Sequence, residues 1–218
     1  MATVKIEKNP LPYDLSLICK VFELIVGESG TCQHLNDWLN ATSELSPLQQ
    51  ELYESLVEET TEDGGYWNEE ELKVKFVGIL FQIAQVAVKK RVKVFYERPL
   101  AAHLNGYDLS VVSDCFIATP LPFNTPDVPY FFLQEFKKKR GEKKDPEAQM
   151  LTAMIIAQHL NNDGKPLYGG YLFGHNWNFT TLVGNRYCTS RQYDARQPHD
   201  LLQIVFILRK LKELILNR

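Results

Sequence analysis

The apolar residues of the chain recur with two different spacings, and each spacing predicts one kind of element. Apolar residues three and four positions apart predict amphipathic helices over 13–26, 32–40 and 48–60, from Asn68, from Asp145 and over 199–216. Short runs rich in Val, Ile, Phe and Tyr predict strands at 92–96, around Asp108, around Glu135, at 168–173 and at 177–183. The order α-βββ-α-ββ-α after a helical N-terminal segment predicts a mixed central sheet flanked by helices, in the α/β (α+β) class.

Capping residues and glycines support several of these boundaries. Ser46-Pro47 and Asp145-Pro146 each combine a capping side chain with a proline in the first helical turn, and Asn68 is a third capping residue. Gly64-Gly65 ends the acidic helix that follows Ser46. We expect residues 1–65 to form a helical segment packed on a core domain of residues 66–218, and the two to make one structural unit.

Composition and charge narrow the classes of function. The 218 residues are 44% apolar, enough for a full core, and carry a formal net charge of -3. A nucleic-acid contact would therefore need a local basic patch. The start of the chain has no apolar signal segment, and the longest apolar stretch, Leu201 to Leu208, is too short to span a bilayer. These features predict a cytoplasmic protein without a membrane partner.

The cysteines and histidines show no spacing typical of a metal site. Cys19, Cys32, Cys115 and Cys188 contain no Cys-x-x-Cys pair, and we expect them to be reduced and packed, as in a cytosolic protein. The five histidines have no zinc-ligand spacing, so no zinc site is predicted.

The most informative chemistry lies in the run Phe131 to Lys139, which carries a Glu-x-Lys triplet. Side chains alternate between the two faces of a strand, so Glu135 and Lys137 project together while Phe136 turns away. A carboxylate beside an ammonium can hold a divalent metal and steady a charged nucleophile. With a second carboxylate nearby, this arrangement favours phosphodiester chemistry.

Two upstream acids are candidates for the second carboxylate. The proline-rich segment Thr119 to Pro129 predicts a loop between antiparallel strands, which folds the stretch from Asp108 to Asp114 back towards Glu135. We favour Asp108, because an acid at a strand mouth beside a glycine turn is accessible to a metal and a substrate. Asp114 lies among apolar neighbours, which is a poorer environment for a solvated ion.

Together these motifs resemble the PD-(D/E)xK nuclease superfamily, with the nearest likeness to the nuclease domains of type I restriction subunits and related uncharacterised bacterial proteins. The resemblance covers 68–183 and rests on an opening helix with a Glu, Gly106-x-Asp108, Glu135-x-Lys137, Gln149 on the next helix and a closing hairpin over 168–179. One departure is that Tyr107, not Pro, precedes Asp108. The Pro126-Asp127 pair lies in the turn, where Pro sets φ, so we interpret it as turn chemistry.

The resemblance implies a restriction-endonuclease-like core and a set of site residues. Asp108, Glu135 and the backbone carbonyl of Phe136 would hold Mg²⁺ or Mn²⁺. Lys137 would orient the attacking water or stabilise the transition state, and Gln149 would contact the metal-bound water or a phosphate.

One acid of the opening helix would join this site. Glu69 shares the inward face of Leu72 and Phe76, whereas Glu71 points elsewhere. Any of Glu69, Glu70 and Glu71 would also interact favourably with the helix dipole, which leaves a structural role open.

The resulting hypothesis is a divalent-metal-dependent nuclease that acts on nucleic acid, DNA rather than RNA. The basic run Lys137 to Lys144 could neutralise phosphates beside the site. The alternative is a nuclease-like fold without turnover that binds nucleic acid or protein. A third hypothesis is an interaction protein built on the acidic helices of 10–62. The apolar stripe of the last helix is expected to be core, although a spare stripe could serve a homodimer.

Overall fold

The computed structural model describes residues 9–137 and 145–218, except for the side chains of Glu28, Ser29 and Lys137. The α-helices are α1 (Leu15–Val21), α2 (Gln33–Leu39), α3 (Pro47–Glu62), α4 (Glu69–Glu71), α5 (Ile79–Ala84), α6 (Pro146–Asn161) and α7 (Pro198–Leu216). The strands are β1 (Ile25–Glu28), β2 (Lys93–Leu104), β3 (Tyr107–Leu121), β4 (Thr125–Lys137), β5 (Leu167–Phe173), β6 (Asn176–Val183), β7 (Arg186–Thr189) and β8 (Tyr193–Asp194). Short 3-10 turns cover Ser29–Thr31 and Pro122–Asn124.

These strands form one mixed sheet in the order β1-β7-β6-β5-β4-β3-β2, with β8 paired to β6. β2, β3 and β4 make an antiparallel meander. The chain then crosses through α6 to β5, which lies parallel to β4, because a parallel neighbour cannot be reached by a tight turn. β6 and β7 continue antiparallel, and β1 adds a parallel edge strand beside β7. The predicted mixed sheet of the α/β (α+β) class is confirmed.

Helices cover both faces of the sheet and bury two apolar layers. One layer contains α2, α3, α5 and α7 with residues such as Trp38, Phe132, Phe136 and Trp177. The other contains α1 and α6 with residues such as Phe116, Leu133, Met150 and Met154. α4 and α5 are joined by a π-helical stretch, Leu72–Gly78, so 69–84 is one continuous helix.

The apolar stripe of α7 lies inside the first of these layers. Its members are buried, which confirms the prediction that they are core: Leu201, Ile204, Val205, Leu208, Leu211 and Ile215. The stripe is therefore not exposed, and it cannot contact a second copy of the chain. Among the helices that the structure describes, none is long and apolar enough to cross a membrane.

Helix starts follow the predicted caps. Ser46 and Asn68 both form reciprocal capping boxes, with Gln49 and Glu71 respectively. The Asp145 side chain accepts the N–H of Glu147 and so caps α6. The hairpin turn Asn105-Gly106 has φ of 50° and 79°, as the two central residues of a type I′ turn require.

The N-terminal segment is not wholly helical, contrary to the prediction for 1–65. The helix predicted over 13–26 ends at Val21, and Glu23 adopts a positive φ of 51°. The chain then extends as Ile25–Glu28 along β7. The apolar residues Ile25 and Val26 fit the period of a helix as well as that of a strand. Pairing with the edge of β7 therefore decides that this segment is a strand.

The prediction of four reduced cysteines is wrong for one pair. Cys32 and Cys188 form a disulfide between the start of α2 and β7, across 156 positions of sequence. Cys19 and Cys115 are free. Disulfides are rare in reducing compartments, so the cysteines no longer support a cytoplasmic location. Sequence spacing could not show this pair, because the sheet brings the two residues together.

Gly169 sets how closely α6 packs on the sheet. A Cβ atom there would lie 2.7 Å from Met150 Sδ, 2.8 Å from Met154 Sδ and 2.9 Å from Thr180 Oγ1. We expect Gly169→Ala to lower the free energy of unfolding by about 1–3 kcal/mol through overpacking, measured by urea denaturation. Gly30→Ala is the control, since a Cβ atom at Gly30 meets nothing within 4 Å. Equal stability of the two variants would contradict close packing at Gly169.

Candidate functional site

Two carboxylates meet where strands β3 and β4 separate. The last pair of their ladder is Cys115 with Gln134, so Asp114 and Glu135 are the next residues on the two strands. Asp114 Oδ2 accepts the N–H of Phe136 at 2.7 Å, in place of a ladder bond between the two backbones. Asp114 and Glu135 are 6% and 1% exposed. The structure therefore buries two acids side by side at the end of β4.

The negative charges of Asp114 and Glu135 act on the thiol of the neighbouring Cys115. Burial raises the pKa of the Cys115 thiol, and the charges of Asp114 and Glu135 raise it further. Cys115 therefore stays a neutral thiol at physiological pH, and it does not offer a reactive thiolate.

The structure places Asp108 elsewhere, and the expectation that it lies beside Glu135 is wrong. Asp108 pairs with His103 in the β2–β3 ladder and lies six residues before Asp114, about 20 Å along the strand at about 3.3 Å per residue. Its carboxylate accepts the N–H of Asn9 at 2.9 Å and contacts His103 Nδ1 at 2.9 Å. Asp108 thus anchors the N-terminal segment to the β2–β3 hairpin, and Asp114, the alternative acid, occupies the predicted position.

The side chains of β3 change faces between Val111 and Phe116, in the part of the strand that contains Asp114. Residues in the layer around α6 have odd numbers up to Val111 and even numbers from Phe116. The change occurs opposite Glu97, which has a positive φ of 50°. Ser113 and Asp114 are both buried, as are the residues that follow them to Ala118, because helices cover both faces of the sheet here.

Lys73 provides the positive charge at this site, and the sequence analysis missed it. Its Nζ atom lies 3.7 Å from Asp114 Oδ1, 3.6 Å from Glu69 Oε1 and 3.5 Å from Glu70 Oε1. It also donates a hydrogen bond to Glu97. Lys73 is only 8% exposed, so this ammonium is the buried counter-charge of the acids around it.

The charges around Lys73 decide its protonation. Burial alone would lower the pKa of Lys73, but the hydrogen bond to Glu97 and the charges of Asp114, Glu97 and Glu69 outweigh burial and raise it. Lys73 is therefore charged at neutral pH, and its stabilising effect is lost only as the pH rises above the usual lysine range. A signal was present in the sequence, because Lys73 lies four residues after Glu69 and shares its face.

Among the three acids that open the helix, Glu69 and Glu70 both contact Lys73, and Glu69 is the less exposed of the two. Glu69 lies 3.6 Å from Lys73 and its side chain is 38% exposed, whereas that of Glu70 is 81% exposed. Glu71 instead completes the capping box by accepting the N–H of Asn68. Glu69 thus reaches Asp114 indirectly, through the Lys73 ammonium.

Gln149 lies on the first turn of α6, which packs against β3, β4 and β5. It is 7% exposed, and its Oε1 atom has no hydrogen-bond partner within the described parts of the chain. The turn is held in place by Glu147, which accepts hydrogen bonds from the hydroxyls of Tyr187 at 2.9 Å and Thr189 at 3.3 Å. A buried amide oxygen on an anchored turn can serve as a ligand or accept a hydrogen bond.

Phe136, the residue between Glu135 and Lys137, lies on the face of the sheet that the predicted alternation assigns to it. Phe136 is fully buried in the layer of α5 and α7, opposite to the α6 layer of its neighbour Leu133. Lys137 ends β4, but its side chain lies outside the described residues. The rest of the basic run, 138–144, lies outside them as well, so its contact with phosphates stays a prediction.

The chemistry of this donor set fits a hard divalent cation. Asp114, Glu135 and the backbone carbonyl of Phe136 offer oxygen, which Mg²⁺ and Mn²⁺ prefer. Within 9–137 and 145–218, no group of three or more His, Cys, Asp or Glu side chains is arranged to hold a metal ion. Mg²⁺ sites commonly use one or two carboxylates and complete their shell with water and substrate phosphate, so two acids suffice.

Comparison with known proteins adds no family to this description. The chain matches no protein-family model, and a search of curated proteins found no match.

Lys73→Gln tests whether this lysine holds the site together. We expect the free energy of unfolding to fall by about 1–3 kcal/mol, because Asp114 keeps a buried charge without its ammonium partner. Urea denaturation at pH 7 measures this loss. The control is Lys75→Gln, whose side chain is 41% exposed and makes a 3.5 Å ion pair with Glu59. That control should change stability by no more than about 0.5 kcal/mol, and equal losses in both variants would contradict the role of Lys73.

Proposed function

We propose that the protein is a divalent-metal-dependent nuclease that hydrolyses phosphodiester bonds in DNA. The observation that carries the proposal is the burial of Asp114 and Glu135 side by side where β3 and β4 separate. Burying two acids together is unfavourable unless a cation or strong hydrogen bonds compensate them. We therefore take the two buried acids as a sign of a functional site. The Glu-x-Lys triplet indicates that its chemistry is phosphodiester hydrolysis.

The topology around the site supports a restriction-endonuclease-like core. A helix that carries Glu69 precedes the meander β2-β3-β4, and α6 with Gln149 leads to β5. The parallel pairing of β5 with β4 places Tyr171 beside Glu135. This is the order of elements that the resemblance in the sequence implies, once Asp114 takes the place given to Asp108.

Each residue would have a defined task. Asp114, Glu135 and the Phe136 carbonyl would hold Mg²⁺ or Mn²⁺, which when bound makes a water molecule more acidic and neutralises charge on the phosphate. Lys137 would donate hydrogen bonds to the phosphate oxygens as negative charge develops in the transition state. The Gln149 amide oxygen would accept a hydrogen bond from the attacking water and so hold it in line with the phosphorus.

A second candidate is a nuclease-like fold without turnover that binds nucleic acid or a protein. The observation that favours it is Lys73, whose ammonium already compensates Asp114, Glu69 and Glu97. With this internal cation, part of the acids' negative charge is compensated without a metal ion. Divalent-metal binding therefore separates the two candidates.

Calorimetric titration with Mn²⁺ should show one site in the wild-type protein that depends on the two buried acids. We expect Asp114→Asn and Glu135→Gln each to weaken binding by more than about 100-fold, because a ligand matters more than its outer-shell support. Asp108→Asn is the matched control, since it removes an acid of the same strand far from the site. A wild-type protein that binds no Mn²⁺, or an Asp108→Asn variant that loses binding, would refute the metal site.

Loss of the Lys137 ammonium should reduce the cleavage rate more than it reduces the affinity for DNA. We expect Lys137→Met to lower the cleavage rate of a plasmid or oligonucleotide by about 10²–10³-fold, since it removes a charge that stabilises the transition state. DNA affinity, measured by fluorescence anisotropy, should change by no more than about threefold. Lys89→Met, at an exposed position, should retain both properties. Full cleavage by Lys137→Met would remove this residue from the mechanism.

A further inference from the structure

A cleft of about 490 Å³ opens beside the candidate site. One wall is the loop after α3 with Gly64, Gly65 and Trp67, and the other is the turn between β5 and β6 with Gly174 and His175. Sites for small organic ligands occupy about 300–1,000 Å³. The cleft therefore has room for one nucleotide, whereas a nucleic-acid duplex is too wide to enter it.

The cleft adjoins the residues assigned to cleavage. Leu72 lines it and directly precedes Lys73. Phe173 lines it as well, and pairs with Lys137 across the β4–β5 ladder, where neighbouring strands lie about 4.8 Å apart. A group bound in the cleft would thus lie one strand away from the end of the Glu-x-Lys triplet.

The polar side chains of the cleft suit the edge of a nucleobase. Asn176 and Gln192 offer amides, each with a donor and an acceptor, while the Arg196 guanidinium is paired with Asp194. Burial lowers the pKa of His175 despite the nearby charge of Asp194, so its imidazole is neutral at pH 7. Asp194 lies beside the cleft, and the ion pair with Arg196 at 3.2 Å compensates its charge.

Two buried polar atoms lie beneath the cleft. Thr60 and Trp67 line a recess of about 10 Å³ together with Leu72 and Phe76. Thr60 is 2% and Trp67 5% exposed. Neither the Thr60 hydroxyl nor the Trp67 indole N–H has a hydrogen-bond partner in the described portion of the protein. Buried polar groups of this kind are normally paired, and a recess of this size has room for about one water molecule as their partner.

We propose that this cleft binds an unstacked base of single-stranded DNA, next to the phosphate that the Asp114–Glu135 site cleaves. Aromatic side chains and amides that read a splayed base are the usual means by which proteins recognise single strands. The position of the cleaved phosphate rests on the proposed nuclease function, whereas the binding of the base does not. Single strands, or duplexes locally opened at the cut, are then the substrate form.

Fluorescence anisotropy with labelled oligonucleotides tests this proposal on the full chain carrying Glu135→Gln, in EDTA, so that neither turnover nor metal binding contributes. The probes are a 12-nucleotide single-stranded DNA, the RNA of the same sequence and the corresponding DNA duplex. We expect the single-stranded DNA to bind at least about tenfold more tightly than the duplex. Equal or tighter duplex binding would overturn the proposal, and tighter RNA binding would overturn the choice of DNA.

Gly65→Phe supplies a variant that closes the cleft without disturbing the core. A Cβ atom at Gly65 meets nothing within 4 Å, so the ring would project into open space. We expect this variant to weaken single-strand binding by about tenfold or more, and Gln192→Ala by about fivefold. The matched controls, Gly30→Phe and Gln82→Ala, should retain wild-type affinity.

Unchanged affinity in Gly65→Phe would show that the cleft is not the binding site. Failure of the nuclease proposal would appear separately, as absent Mn²⁺ binding in calorimetry, and would leave this anisotropy assay unaffected.

Discussion

The site depends on one constraint, the burial of Asp114 and Glu135 at the point where β3 and β4 part. Two carboxylates cannot both stay charged in a dry environment without compensation. The Phe136 N–H provides one hydrogen bond, and the Lys73 ammonium provides a positive charge. The neighbouring elements can be understood as the framework that keeps these partners in place.

That framework draws on both faces of the sheet. The helix of 69–84 brings Glu69 and Lys73 to the acids from one side, and its start is set by the Asn68 capping box. On the other side, α6 lies close to the sheet because Gly169 leaves room for Met150 and Met154. Gln149 is thereby carried to a buried position on the first turn of α6. The site is thus assembled from segments that are distant in sequence and packed by ordinary apolar contacts.

An internal ammonium amid acids is compatible with two modes of action. If a divalent cation enters, Lys73 shares the carboxylates with it and limits the net negative charge of the site. If none enters, Lys73 still compensates part of the acids' charge, and the fold would serve for binding. The base-binding role proposed for the adjacent cleft is the same in both cases, because it does not depend on whether the phosphate is cleaved.

Local patterns predicted a large part of the architecture. The capping residues Ser46, Asn68 and Asp145 marked helix starts correctly, because a cap acts on its own helix. The Asn105-Gly106 turn and the hairpin over 168–183 followed from residues adjacent in sequence. Glu135 was identified for the same reason, since its motif is contained in one strand.

Long-range features were decided by the tertiary structure. The choice between Asp108 and Asp114 depended on the register of β3 against β4 and on the kink opposite Glu97, and neither is encoded in strand periodicity. The Cys32–Cys188 bond and the edge strand β1 likewise depend on what the sheet brings together. The sequence by itself determined which residues can form each element and which chemistry they carry. Only the packed fold determined which acids share a site, because burial and counter-charge arise between elements and not within them.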